Sequence, residues 1–351
     1  MKVIHDGDAA YEDIIALSLL LLNADVVAVT VTYGESTPHI GAANMERICR
    51  MLRPDVKIPV AFGVNFALDF HGEPFPEFIK IEEDSILEST EVPLVTDSQV
   101  TDSAVHLLYN TLMVSHEKIT ILATGPLTNI AELVSTYPEC IEKIEKIVIM
   151  GGAVHVPGNI TDLIFDATNT VAEWNIYADP KAAEIVFNTP LLPMVLVPLD
   201  ITRQMPMTRD FYARLEGEVL PALRLVRHML TSLLQTMGED LFYEKLQFWD
   251  SLAAMITLNP AMAQFEELSL TVDLNTSQVI ENTTLNNSSP KVQIATTLID
   301  IEKAYDTFLT LMKKRSKSSS MLANYDSHFF SKASSNAPSV TSSLEFKPTT
   351  M

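Results

Sequence analysis

Cysteine is nearly absent from this chain: Cys49 and Cys140 are the only two in 351 residues. Two cysteines exclude a disulfide framework and a cysteine-rich metal site, and both read as small buried hydrophobes. Basic residues are also scarce, 24 Lys and Arg against 45 Asp and Glu, which leaves a net charge of −21. Such a chain repels nucleic acid unless a local basic patch intervenes, and none is visible. No apolar run reaches the ~18 residues of a membrane span. Met1-Lys2 leads directly into a strand-like run, without the pattern of a signal peptide. The expectation is a soluble cytoplasmic protein with neither a nucleic-acid nor a membrane partner. On that reading the Asn-x-Ser/Thr triplets at Asn275, Asn282 and Asn286 carry no glycan. There is no internal repeat.

What the chain does have is apolar content, 47% hydrophobic residues, enough for a large core. Strand-like and helix-like segments alternate. Val26 to Thr32 is β-branched and apolar on both faces, as a buried parallel strand is. Ile40 to Leu52 has helical spacing, and Lys57 to Phe62 reads as a strand. Residues 63 to 98 read as a loop-rich segment that could cover a site. Helix and strand then follow in turn: Val100 to Ser115, Lys118 to Ala123, Pro126 to Tyr137, Lys146 to Met150, Pro180 to Phe187 and Pro193 to Leu199. This rhythm predicts an α/β fold, a mostly parallel central sheet with helices on both faces. Thr208 to Leu258 is mainly helical. Leu268 to Leu274 and Lys291 to Thr297 read as a late strand pair around a polar loop, and Ile301 to Lys313 as a final helix. The domain therefore spans 1–313. The Ser-, Lys- and Asn-rich segment 314–351 lacks periodicity and reads as a disordered tail.

The stretch around which the rest is organised is Ile4-His5-Asp6-Gly7-Asp8-Ala9-Ala10-Tyr11-Glu12-Asp13, running into apolar Ile14 to Leu22. It reads as strand, tight loop and helix, with the acids at the C-terminal end of the strand, the edge where open α/β sheets bind ligands. Acids this close repel one another, and a hard cation such as Ca²⁺ or Mg²⁺ would offset the charge. Taken alone, the stretch fits an acidic helix N-terminus equally well. Three further places carry chemistry. Thr124-Gly125-Pro126-Leu127-Thr128-Asn129 makes a sharp turn after a strand. Met150-Gly151-Gly152, with Gly158-Asn159 and Glu173-Trp174-Asn175 beyond it, lets backbone approach a ligand closely. Phe248-Trp249-Asp250 puts an acid in an apolar setting, costly unless it is paired or metal-bound.

These segments, in this order, resemble the nucleoside hydrolase family, the inosine–uridine-preferring N-ribohydrolases. The resemblance covers about residues 1 to 313. Asp6 to Asp13 fits the spacing of the family's Asp-x-Asp-Pro-Gly-x-Asp-Asp, Thr124 to Asn129 its Thr-Gly-Pro-Leu-Thr-Asn, and Asp250 the Asp of its C-terminal motif. The resemblance implies a Rossmann-like fold and hydrolysis of a ribonucleoside to free base and ribose. It implies one Ca²⁺ held by Asp8, Asp13, Asp250 and the Thr124 carbonyl, with Asp8 taking the proton from the Ca²⁺-bound water. It places Glu12, Glu35, Met150, Asn159, Glu173, Asn175, Trp249 and Asp250 against the nucleoside, and Asp6 behind Asp8. It also implies a small-molecule substrate, a salvage role and a homo-oligomer, dimer or tetramer.

Departures from the family pattern carry their own expectations. Glu12 stands where the family has an Asp against a ribose hydroxyl, and Glu35 where it often has Asn or Asp. Ala9-Ala10 replaces Pro-Gly, which is expected to loosen the turn. Trp249 replaces the His that precedes the C-terminal Asp in other members, as in the purine-specific branch; an indole cannot serve as an acid but can stack on a purine. Purine ribosides are therefore the expected substrates. Trp174 reads as packing and His5 as strand-entry structure. His71 reads either as a surface loop residue or as a ligand contact. Tyr243, Glu244 and His228 remain open as proton donors. Two alternatives stand beside this reading. One is a non-catalytic nucleoside- or ribose-binding relative. The other is a Mg²⁺-dependent haloacid-dehalogenase-type phosphatase, suggested by Asp6-Gly7-Asp8 but lacking the usual Thr at Ala9.

Overall fold

The computed structural model describes residues 1–69, 75–163, 167–282 and 290–314. His71, Asn286 and the chain from 315 onward lie outside the described residues, so the expectations placed on them stay as stated. The strands are β1 Lys2–Gly7, β2 Asp25–Val31, β3 Val60–Phe62, β4 Ile119–Ala123, β5 Ile144–Met150, β6 Met194–Val197, β7 Ala263–Leu268, β8 Leu270–Asp273, β9 Gln278–Glu281 and β10 Val292–Leu298. The helices are α1 Tyr11–Asn23, α2 Pro38–Leu52, α3 Glu77–Asp84, α4 Ala104–Val114, α5 Thr128–Thr136, α6 Ile160–Leu163, α7 Trp174–Ala178 and α8 Pro180–Asn188. They continue with α9 Leu199–Thr202, α10 Arg209–Arg214, α11 Pro221–Met237, α12 Glu239–Lys245, α13 Trp249–Leu258 and α14 Ile301–Met312.

One sheet organises them, in the order β3-β2-β1-β4-β5-β6-β10-β7. Its pairs are parallel up to β10, and β7 closes the edge antiparallel to β10. Along its strands successive residues go to opposite faces. Val3, Leu122, Val148 and Met150 join the core on one face, and Ile4, Ile121, Ile147 and Ile149 the core on the other. Helix α1 is buried from Tyr11 through Leu21, because it lies among the sheet, α2, α13 and α14. A helix apolar all round is what such a position requires. Each of its buried Ile and Leu side chains contributes about 1.5–3 kcal/mol.

Two expectations are corrected here. The late strands do not form the expected pair: β10 pairs with β7, while the segment from Leu270 turns back to pair with β9 as a separate two-stranded unit. The segment 63–98, read as loop-rich, contains the helix α3. Among the described residues no helix is long and apolar enough to cross a membrane.

The strand order reverses at β1, which lies between β2 and β4. Connections from the ends of β1 and β4 therefore leave in opposite directions, and the crevice between them is where such sheets bind ligands. Asp6 pairs with Ala123 across that junction. Asp8 and Thr124 follow at its mouth.

Candidate active site

The acids of the first loop reach the sheet edge because the backbone there has no side chains in the way. A Cβ on Gly7 would lie 1.9 Å from Asp13 Oδ1, and one on Gly34 would lie 2.1 Å from Asp8 Oδ2. Ala9 sits at φ 63°, the left-handed region, and is fully buried. The Ser36 hydroxyl donates to the Asp8 carbonyl. The Ala9-Ala10 turn is thus pinned rather than loosened, and its backbone takes a φ that a proline ring cannot adopt.

Asp8, Glu12, Asp13 and Asp250 are all buried and Glu35 is half-buried. The hydrogen bonds explain how such acids share one space: they accept from backbone N–H groups, Glu12 at the start of a helix far along the chain and Asp13 and Glu173 at the starts of their own, where the helix dipole favours negative charge. Glu12 Oε2 accepts from Ser251 Oγ at 2.9 Å and Ser251 N at 3.3 Å, at the start of α13. Glu173 accepts from Gly152 N at 2.8 Å, Asn175 N at 3.0 Å and Ile176 N at 3.3 Å, joining the end of β5 to α7. Asp13 Oδ2 accepts from Ala10 N at 3.0 Å. Asp8 Oδ2 accepts from Glu35 N at 2.8 Å.

Two of the caps come from α3, which the sequence had left unassigned. Glu83 Oε2 accepts from Tyr11 N at 2.8 Å. Asp84 accepts from Thr37 N and Thr37 Oγ1, both at 2.7 Å. The first bond holds the entry to α1 and the second the entry to α2, the two helices that follow Asp8 and Glu35. Neither Ala10 nor Thr37 caps its helix with its own side chain.

Behind the mouth lies a buried polar layer. Asp6 Oδ1 accepts from Thr30 Oγ1 at 2.6 Å and Asn129 Nδ2 at 2.8 Å, which places Asp6 beneath the loop. Thr124 Oγ1 donates to Asp13 Oδ1 at 2.5 Å and lies 2.8 Å from His5 Nε2. Because the threonine proton goes to Asp13, His5 must donate through Nε2, which fixes its tautomer. Burial lowers the His5 pKa to about 3, so the ring is neutral. Asn175 Nδ2 donates to the carbonyls of Thr124 and Met150, both at 3.1 Å. Two carbonyl partners settle its amide orientation and tie the ends of β4 and β5 together. Met150 is buried below it. Asn159 is half-buried and accepts from Trp174 N at 3.2 Å through Oδ1. Trp174 stacks on Phe75 with centroids 4.9 Å apart, the packing role expected of it. Trp249 opens α13 beside Asp250, half-buried against the core.

The charges show how tightly these groups are confined. Burial raises Asp6, Glu12 and Glu173 to about 7 and Glu83 to about 8. Asp13 and Asp250 are raised well above the usual carboxylate range, first by burial, then Asp13 by Asp8 and Asp250, and Asp250 by Glu12 and Asp8. The Asp8 and Asp13 carboxyls face each other, which raises Asp13 further. Burial raises the Asp8 pKa above the usual carboxylate range, and the bonds from Asp13 and Glu35 N and the charge of Lys80 on α3 offset only part of that rise. Among the described residues no three His, Cys, Asp or Glu side chains are arranged as a ready metal cage. The donor chemistry nevertheless suits a hard cation: carboxyl and carbonyl oxygens only, and buried acids that raise one another where a positive charge would relieve them.

The sequence model for the "Inosine-uridine preferring nucleoside hydrolase" family matches residues 3–306. The chain belongs to the nucleoside hydrolase family. It is 34% identical over 244 residues to the pyrimidine-specific ribonucleoside hydrolase RihA of Citrobacter koseri, covering 67% of this chain and 72% of that one. To the pyrimidine-specific ribonucleoside hydrolase RihB of Escherichia coli it is 30% identical over 323 residues, covering 89% and 96%. A solved purine-preferring ribonucleoside hydrolase from Gardnerella vaginalis superposes with a TM-score of 0.77 at 25% identity, covering 89% of this chain and 98% of that one. This nucleoside hydrolase is therefore an enzyme that cleaves N-glycosyl bonds of ribonucleosides. The phosphatase alternative is overturned by the family match, and the residues it leaves without a role, Glu173 and Asn175, brace the site wall.

Proposed function

We propose that this nucleoside hydrolase cleaves purine ribonucleosides, with Ca²⁺ as cofactor and Asp8 as the base that takes a proton from the attacking water. The observation that carries the purine reading is Trp249, half-buried at the first position of α13 and adjacent to Asp250. An indole there offers a face for a bicyclic base, a contact worth on the order of 1 kcal/mol beyond burial. Asp8, Asp13, Asp250 and the Thr124 carbonyl are the proposed ligands. Bound there, Ca²⁺ would make water more acidic and orient ribose hydroxyls.

The chain's own groups do the rest. A carboxyl whose pKa burial raises, as it does that of Asp8, is a stronger proton acceptor once ionised, which suits a base. Water attacks the anomeric carbon, the C–N bond breaks with its electron pair going to the base, and Asp8 holds the proton water gave up. The sugar passes through an oxocarbenium-like state, stabilised by the carboxyls of Glu12, Glu35, Glu173 and Asp250 that share the space. Asn159 and Asn175 complete the sugar side of the site. A cytoplasmic location and a salvage role follow as part of the same reading.

The relatives described as pyrimidine-specific favour a second reading, in which uridine and cytidine are the substrates. The deciding experiment is release of free base and reducing sugar from inosine, adenosine, guanosine, uridine and cytidine, with Ca²⁺ and with excess chelator. Chelator-sensitive cleavage of the purine ribosides supports the proposal. Uridine cleaved at a similar rate removes the purine preference, and no cleavage of any nucleoside points to a binding relative.

A further inference from the structure

His5 reads from the sequence as strand-entry structure, yet the fold turns its ring inward against Thr124. It lies within β1, paired to Val29 of β2 and Leu122 of β4, and is fully buried. By the alternation of a strand its side chain takes the face of Val3, whose core cluster includes α1. Its Nε2 is 2.8 Å from Thr124 Oγ1 and 3.8 Å from Asp13 Oδ1, so it reaches the acid only through the hydroxyl. Its Nδ1 is buried without a hydrogen-bond partner. An apolar side chain would fill this place at less cost, because a nitrogen left unpaired in a core costs stability. A buried polar group kept at that cost calls for a role.

We propose that His5 is a positioning residue for the cation site: its Nε2–H fixes the Thr124 hydroxyl, and through it the Asp13 carboxyl. This rests on the Ca²⁺ reading above and extends it one residue back from the proposed ligands. A threonine hydroxyl has one proton and rotates to suit its neighbours. An N–H arriving at its oxygen occupies a lone pair and leaves the proton aimed at Asp13 Oδ1, 2.5 Å away. Asp13 Oδ2 accepts from Ala10 N at 3.0 Å, so each oxygen of the carboxyl has a fixed donor. The contact has no slack: a Cβ on Gly7 would lie 1.9 Å from Asp13 Oδ1 and 2.6 Å from Thr124 Oγ1. Thr124 is anchored by its backbone too, its N–H donating to the Asp6 carbonyl at 2.9 Å and its own carbonyl accepting from Asn175. One imidazole thus steadies a residue whose carbonyl and whose hydroxyl partner are both proposed ligands. Groups that orient metal ligands from behind change metal affinity by about 10- to 100-fold. A strand paired on both sides holds such a group more firmly than a loop does.

The test is calorimetric titration of the metal-free full chain with Ca²⁺, with the melting temperature in chelator as the control. His5→Leu removes the donor and leaves an apolar side chain in the core. It is expected to raise the Ca²⁺ dissociation constant by about 10- to 100-fold. The melting temperature in chelator should stay level or rise, because an unpaired nitrogen has gone. A merely structural histidine would give the reverse, a lower melting temperature with unchanged affinity. Thr124→Val removes the hydroxyl and keeps the carbonyl, and should show a similar loss, which keeps the relay testable should His5→Leu not fold. Adding His5→Leu to Thr124→Val should then change affinity by less than about twofold, because the two side chains act as one unit. Parental affinity in His5→Leu or in Thr124→Val overturns the assignment. Losses that multiply in the double variant overturn the relay through Thr124. An unmodified chain that binds no Ca²⁺ overturns the cation site itself, which separates the two failures.

Discussion

Glu83 Oε2 accepts the backbone N–H of Tyr11 at 2.8 Å across 72 residues of sequence, so the helix that follows the acidic first loop is capped by a different helix. Its neighbour Asp84 does the same for α2. Removing one such cap should cost about 1 kcal/mol of stability. Its larger consequence is functional. Glu83→Ala is expected to lower the melting temperature by a few degrees while reducing kcat/KM about tenfold, because a small displacement of Asp8 and Asp13 is felt strongly in catalysis. Thermal unfolding and steady-state kinetics on one preparation check this. A variant with the melting loss and full activity would show that the cap is structural only.

The turn at Ala9 makes a counterintuitive prediction. Ala9→Pro restores the residue found in the family's pattern, yet φ at this position is 63°. A proline ring holds φ near −65°, so the substitution must rebuild the turn, at about 3 kcal/mol or more. The expected outcome is a large fall in melting temperature and loss of most activity. A variant at least as stable and active as the parent would show that the turn takes the other conformation.

The crowded acids predict how metal and pH act together. Burial raises Asp6, Glu12 and Glu173 to about 7 in the folded chain. Between pH 4 and 7, roughly the unfolded and folded values, the folded state then holds more protons than the unfolded one, so metal-free stability falls as pH rises. His5 works in the opposite direction, since its pKa of about 3 makes the fold lose stability below about 6.5, but it is one group against several. In chelator the melting temperature should be higher at pH 5.5 than at pH 8, and added Ca²⁺ should raise it far more at pH 8. A melting temperature in chelator that climbs with pH would contradict this account of the acids.

Trp249 gives a substitution whose effect differs in size between substrates. Trp249→Ala should reduce kcat/KM for inosine by about tenfold, since stacking with an aromatic is worth ~1 kcal/mol or more, and change uridine less. Equal losses on the two substrates would return Trp249 to the core.

The cysteines supply a control. Burial pushes the Cys49 thiol up to about 12 and the Cys140 thiol up to about 11. Neither should react with a thiol reagent in the native state, and both should react on unfolding. Rapid labelling of the active enzyme would mean that its core opens locally.

The parts of this molecule that the sequence discloses are those governed by local pattern. Val26 to Thr32 is legible as a strand because both faces are buried, and the acids of the first loop because four carboxyls lie between Asp6 and Asp13. The partners of those acids are not legible. Nothing in the spacing links Tyr11 to Glu83, or Glu12 to Ser251, since such pairs are set by which strand ends the sheet order brings together. The strand β7 reads Ala-Gln-Phe-Glu-Glu-Leu, too polar to register as a strand because it is an edge with an exposed side. Its invisibility passed its partnership with β10 to the segment beginning at Leu270. Helix α3 is only eight residues long and charged, so it too falls below what periodicity reveals.

The long-range caps also bear on the order in which the chain can be built. During synthesis Asp6 to Asp13 leave the ribosome before any of their distant partners. Glu12 finds Ser251 only 239 residues later. Asp13 finds Ala10, Asp6 finds Thr30 and Asp8 finds Glu35 long before that, but Glu12 waits for α13. The acidic edge of the sheet is therefore complete only once α13 is made, and a nascent or truncated chain ending before α13 carries the motif without Ser251 and Asp250.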